Sequence, residues 1–315
     1  MAPIDFEHQA IESPTGAKLR VYFAAAQNPK AVVQINHGLA EHAARYAGFA
    51  KALNVAGFHA YAHDHRGHGG TTAPDAPIGM FAPNNGANKV VADVEAVHAM
   101  IAHRHPGLPV ITFGHSMGGL IALNHAFTHP ARAAGLAIWN SNFSAGVLGR
   151  VAQAILKFER FRLGHDVPSR MLPKLTFGAW AKSIKDRRTE FDWLSRNPKE
   201  VDAYIADPLC GWDASVAMWQ DIFEFVFAGA DNANIKKLAR NLPLHLHGGG
   251  RDPATDFGHA TEALASRFQA LEFKSVTTTI DPQSRHESLN EINRDETIAE
   301  FIDWANQTFA NWQKP

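Results

Sequence analysis

Cysteine is nearly absent. Cys210 is the single thiol in 315 residues, so no internal disulfide can staple the chain, and a reducing compartment is permitted. Charge of one sign is missing too. Thirty basic residues meet 31 acidic ones, a net charge of −1, which gives no basic excess for nucleic acid and no acidic tail. No uncharged apolar run reaches the roughly 18 residues that a transmembrane helix needs. The start, Met1 to Glu7, carries two acids and lacks the basic and apolar regions of a secretory leader. The expected location is therefore cytoplasmic. There is no Walker A loop and no G-x-G-x-x-G after a strand, so no nucleotide or nicotinamide cofactor is expected. Internal repeats and low-complexity segments are also lacking.

What is present reads as a large-cored globular protein, 45% hydrophobic and 19% charged. Residues 6–12 and 19–25 are short runs split by Ser13-Pro14-Thr15-Gly16, which reads as a hairpin. Strand signals then recur at 31–36, 58–63, 109–113 and 135–139. Helical patterns fill 43–56, 88–105 and 119–129 between them. This alternation predicts a mostly parallel sheet covered on both faces, begun by an antiparallel hairpin.

The alternation breaks after Asn140. Residues 143–209 carry helical signals, aromatics and basic residues such as Arg150, Lys157, Arg160 and Arg162, with no strand pattern. A simple crossover needs far fewer residues, so an inserted helical cap is expected at 143–209. The core is then 1–142 together with 210–315. Val147, Leu148, Val151, Ile155 and Phe158 can share one helix face, to pack on the core or to meet acyl chains or a membrane surface. A core helix over 212–230, a strand over 242–246, a helix over 255–269, a strand over 273–280 and a helix over 295–309 complete eight strands.

One stretch stands out: Gly114-His115-Ser116-Met117-Gly118-Gly119, between a predicted strand and a predicted helix. Glycines two before and two after a serine fit a strained strand-to-helix turn that lifts the Oγ above the sheet. Sites in open α/β sheets gather beyond the carboxyl ends of strands. The residues there are His37-Gly38, Asp64/His65, Ser116, Asp252 and His286. Ser116, Asp252, His286 is the order of nucleophile, acid and base expected of an α/β-hydrolase. His286 would take the Ser116 proton, and Asp252 would hold the imidazole tautomer. Met117 N–H and an N–H of the loop after 31–36, at Leu39, would stabilise the oxyanion. Asp256 and Asp281 are rivals to Asp252, the first inside a helix signal and the second in the turn after a strand.

The His63-Asp64-His65-Arg66-Gly67-His68 cluster invites a metal, because H-x-H is a zinc-ligand spacing. No later histidine–acid pattern completes such a site, so no metal is expected, and Asp64 and Arg66 are expected to pair as a brace.

These residues resemble the serine hydrolases grouped around monoacylglycerol lipase and bacterial lysophospholipases, the serine aminopeptidase-like hydrolases of the α/β-hydrolase fold. The resemblance rests on His37-Gly38-Leu39-Ala40-Glu41-His42 with Arg45-Tyr46, on Asp64-His65-Arg66-Gly67-His68-Gly69, and on the Gly114–Gly119 turn. It rests also on Asp207-Pro208-Leu209-Cys210-Gly211 and on His286-Glu287-Ser288-Leu289-Asn290-Glu291. It implies Ser116, Asp252 and His286 as catalytic residues and Leu39 and Met117 as oxyanion donors, with His115 packed beside the turn and not catalytic. The expected activity is hydrolysis of a lipid-like carboxylic ester, a monoacylglycerol or lysophospholipid, through an acyl-enzyme. A small-molecule ester with an acyl chain is the expected partner, with peripheral membrane or micelle contact through the cap. An aminopeptidase or amidase on the same fold would need cap acids, for which Glu190, Asp192, Glu200 and Asp202 are available. A non-catalytic binding protein would be signalled by a broken triad.

Overall fold

The computed structural model describes residues 6–144 and 146–310. The leader expectation rests mainly on residues outside them. Strands β1 (Glu7–Glu12) and β2 (Lys18–Ala24) form the antiparallel hairpin. Strands β3 (Ala31–Asn36), β4 (Phe58–His63), β5 (Val110–His115), β6 (Gly135–Trp139), β7 (Leu244–Gly249) and β8 (Val276–Asp281) follow. They form one eight-stranded sheet in the order β1-β2-β4-β3-β5-β6-β7-β8, parallel from β4 to β8. All of β3, β4, β5, β6 and β7 is buried, as a parallel sheet with both faces covered requires.

Helices α1 (Ala47–Val55), α2 (Gly86–Arg104) and α3 (Met117–Thr128) lie in the first half. The span between β6 and β7 holds α4 (Val147–Leu163), α5 (Leu172–Leu175), α6 (Phe177–Ser183), α7 (Pro198–Ala206), α8 (Val216–Ala230) and α9 (Asn232–Ile235). Last come α10 (His259–Ala270) and α11 (Arg294–Phe309). One core layer joins Phe49 and Leu53 of α1 to Phe113, Trp139, Phe301 and Trp304. The other packs α2, α3, α8 and α10 through Val94, Ile121, Phe225 and Phe268. The rings of Phe113, Trp139 and Phe301 meet edge-on at 5.1–5.8 Å, the favoured aromatic geometry.

Several expected boundaries move for local reasons. Helix α3 starts at Met117, directly on the turn, instead of at 119. The stretch before α8 is non-helical until Ser215, whose side chain caps Met218 N–H. After β7, the Asp252 carboxylate accepts Ala254 N–H and starts a short 3-10 turn, Pro253–Thr255. Asp256 then sits at φ 52°, so it precedes the helix that was expected to contain it. Asp281 is the last residue of β8, not part of the following turn. On α4, Val147, Val151 and Phe158 are exposed, while Ile155 packs onto the core; the Leu148 side chain lies outside the described residues.

Candidate active site

The turn between β5 and α3 is as tight as its glycines suggest. Ser116 has φ 56° and ψ −120°, a strained conformation for a residue with a side chain. A Cβ on Gly114 would meet Gly118 O at 2.2 Å, and one on Gly118 would meet Asn36 O at 2.0 Å. Only glycine fits where α3 approaches β3 and β5 this closely. Trp139 O accepts the Ser116 N–H at 2.9 Å and Ser141 Oγ donates to Ser116 O at 2.8 Å, which holds the turn in place.

Three of the expected residues converge there. His286 Nε2 lies 2.9 Å from Ser116 Oγ, and His286 Nδ1 lies 2.9 Å from Asp252 Oδ2. Asp252 is fully buried and also accepts from Ala254 N–H, Thr255 Oγ1–H and Asn140 Nδ2–H. Burial works to raise its pKa. The charge and hydrogen bond of His286, with those from Thr255 and Asn140, outweigh burial and hold it below the usual carboxylate value. The rivals Asp256 and Asp281 lie elsewhere: Asp281 binds Ser284 and Asn293.

Leu39 follows β3 and lines the same cavity as Ser116 and Met117. A Cβ on its neighbour Gly38 would stand 3.5 Å from Ser116 Cβ. Met117 is the first residue of α3, where a helix leaves its N–H without an internal partner. The cavity, about 350 Å³, is walled by Leu39, Leu120, Phe177, Trp180, Trp193 and Trp219. Trp193 and Trp180 stand 5.0 and 6.4 Å from the His286 ring. The cavity reaches Gly211 and Trp212, next to Cys210.

A buried charge network passed unread in the sequence, although its members stand in the quoted motifs. Arg45 binds Glu287 through both terminal nitrogens at 2.6 and 2.7 Å and Glu41 Oε2 at 2.6 Å. Glu41 Oε1 accepts from Gly38 N–H at 2.6 Å and from Tyr46 O–H at 2.9 Å. The i,i+4 spacing of Glu41 and Arg45 was the available signal; the partner Glu287 arrives from a loop more than 240 positions away.

The expected Asp64–Arg66 brace is not what forms. Asp64 accepts Ala43 N–H and Gly70 N–H at 2.8 and 2.7 Å. Arg66 instead pairs with Asp75 at 2.9 Å and Asp93 at 3.5 Å. Their side chains leave in different directions, each to a segment that sequence adjacency does not reveal. His63, His65 and His68 are buried with His37, ring against ring at 4.5–6.4 Å. Burial lowers the pKa of all four, so they stay neutral. Among the described residues, three ligand atoms draw together at His42, Asp207 and Cys210, and at Glu95, His125 and His129. Neither group includes this histidine cluster, and Arg132 already pairs with Glu95 at 2.6 Å.

Comparison with known proteins places the chain in a family. Residues 27–293 match the family described as serine aminopeptidase, S33. The chain belongs to this family of hydrolases. It is 31% identical to human monoglyceride lipase over 188 residues, 60% of this chain and 55% of that one. It is 34% identical to the monoacylglycerol lipase of Mycolicibacterium smegmatis over 184 residues, 58% of this chain and 57% of that one. The matches thus span little more than half the length of these curated relatives. A thermostable carboxyl esterase from Bacillus coagulans, solved with glycerol, superposes with a TM-score of 0.86 at 24% identity, covering 96% of this chain and 98% of that one. This is the α/β-hydrolase fold, and the resemblance read from the motifs holds at family level.

Proposed function

We propose that this S33-family chain is a serine hydrolase that cleaves a lipid-like carboxylic ester, a monoacylglycerol or lysophospholipid. The observation that carries this reading is the Ser116–His286–Asp252 relay, 2.9 Å at each link, opening into an apolar aromatic-walled cavity. Ser116 Oγ attacks the ester carbonyl while His286 Nε2 takes its proton. Asp252 keeps His286 Nδ1–H in place and offsets the imidazolium charge. Leu39 and Met117 N–H groups receive the oxyanion. The proton returns to the leaving alcohol, and water, activated by His286, then releases the acid from the acyl-enzyme.

Residues 143–209 act as the cap in this reading, over a core of 1–142 and 210–315. The exposed face of α4 carries Val147, Val151, Phe158 and Phe161, the last 89% exposed. With Arg150 and Lys157 on the same helix, it suits contact with an anionic lipid surface. Arg160 does not join them: it turns inward to Gln220 and Pro83 O. Among the described residues no helix is long and apolar enough to cross a membrane, so that contact is peripheral.

A fluorophosphonate probe and a panel of esters of graded acyl length test the reading. The expected result is labelling at Ser116 and turnover that rises with acyl length. Ester turnover that survives Ser116→Ala overturns it. Amide cleavage is the second reading, because Glu190 reaches the cavity wall. Asp192, Glu200 and Asp202 are taken up by Thr189, Arg294 and Arg188. Aminoacyl arylamide cleavage that exceeds ester cleavage and falls in Glu190→Gln selects that alternative.

A further inference from the structure

His115 stands one residue before Ser116, and the relay has no use for its imidazole. The ring lies between two loops of the site. Its Nε2 is 2.9 Å from the carbonyl oxygen of His286. Its Nδ1 is 3.5 Å from Glu41 Oε1. A carbonyl oxygen only accepts, so Nε2 carries a proton. Glu41 receives donors on both oxygens, from Gly38, Tyr46 and Arg45, as an ionised carboxylate does. Nδ1 therefore also faces an acceptor.

The surrounding charges point the same way. Glu41, Glu287 and His115 are buried, and the Arg45 side chain is nearly so. Two carboxylates and one guanidinium leave one negative charge uncompensated, which is costly out of water. Among the described residues beside the cluster, His42 is already paired with Asp207 at 2.9 Å. Around the cluster stand Tyr46, Tyr204, Cys210, His37, His247 and the relay's own His286. Burial raises both tyrosines and the thiol, and lowers His37 and His247, so these five stay neutral.

We propose that His115 is an imidazolium in the resting protein, the fourth charge of a neutral buried quartet with Glu41, Arg45 and Glu287. In this role it is a positioning residue. Through Nε2–H it fixes the backbone of His286, and through Glu41 it fixes the Gly38-Leu39 turn. Burial pulls the His115 pKa down, yet the hydrogen bond and charge of Glu41, with Glu287 and the His286 carbonyl, raise it above the usual histidine value. The catalytic consequence rests on the ester-hydrolase reading; the protonation state does not.

Imidazole nitrogen spectra of the full chain, labelled with nitrogen-15 histidine, test the charge at pH 7.5. His115→Gln, which keeps an amide donor but no charge, assigns the signal. The expected result is a doubly protonated ring that loses its second proton in Glu41→Gln. A neutral His115 ring in the unaltered protein overturns the proposal. If His115→Gln does not fold, the ring that changes in Glu41→Gln supplies the assignment, and if neither variant folds, through-space contacts to Ser116 and Glu41 in the unaltered protein do. In the activity arm, His115→Gln lowers kcat by about tenfold or more with KM changed by less than about twofold, as misplacement does. An unchanged kcat overturns the positioning role. Failure of the ester reading would show separately, as unaltered protein that neither labels with fluorophosphonate nor turns over esters.

Discussion

Two stretches between β6 and β7 are held in opposite ways. Residues 191–211 are tied to the loops of the candidate site. Trp193 O and Leu194 O accept the backbone N–H groups of His286 and Glu287 at 3.3 and 2.7 Å. Tyr204 O–H and Gly211 N–H both donate to Ala40 O at 2.9 Å, and Asp207 pairs with His42 at 2.9 Å. The earlier stretch, at α4, instead turns Val147, 77% exposed, and Phe161 to solvent. The first fixes backbone geometry beside the candidate site, and the second leaves apolar side chains exposed. The two stretches should therefore respond differently to substitution.

The sharpest reference point is Ser116→Ala, expected to cut kcat on a soluble ester by about 10⁶-fold, as for other serine relays, while circular dichroism stays unchanged. The next largest effect separates the core from α4. His63 and His245 are lowered to about 3 and His247 to about 4 by burial, with neighbouring histidines adding to it in each case and Asp281 opposing it at His247. A folded pKa below the unfolded value near 6.5 favours the folded state above that pH. This stabilisation is lost as pH falls from about 6.5 through 4 towards 3. Melting curves should show Tm falling steeply over that range, and a flat Tm would contradict neutral buried rings. A smaller break is Tyr204→Phe, which removes one donor to Ala40 O worth about 1 kcal/mol and should lower kcat about fivefold. An effect no larger than that of an α4 substitution would erase the contrast between the stretches. Smallest on soluble ester is Phe161→Ser, expected to leave kcat within about twofold. The same variant should partition less onto anionic vesicles, measured by co-sedimentation.

The sequence carried the relay because chemistry and chain order agree there. Strand ends mark where sites form, and Ser116, Asp252 and His286 follow β5, β7 and β8 in that order. β3, β4 and β6 begin and end where their strand signals do, and every residue of the three is buried, as expected for strands covered on both faces. Arg66 shows the limit. Its partners Asp75 and Asp93 are brought in by tertiary packing, and adjacency to Asp64 misdirects. The Glu41–Arg45–Glu287 cluster has the same cause: local spacing shows half of it, and the loop after β8 brings the rest. For α4, periodicity shows a face but not what the face meets.

Cys210 has a practical consequence. Burial, with Glu41, Asp207 and Glu287 nearby, pushes its thiol up to about 12 against the opposing pull of Arg45, so little thiolate exists at neutral pH. A cysteine placed at the exposed Phe161 position would then react first with maleimides or nitroxide reagents, with no need to remove the native thiol. Spectroscopic reporters could be set on α4 one at a time, and distances from α4 to a fluorophosphonate adduct on Ser116 read in solution.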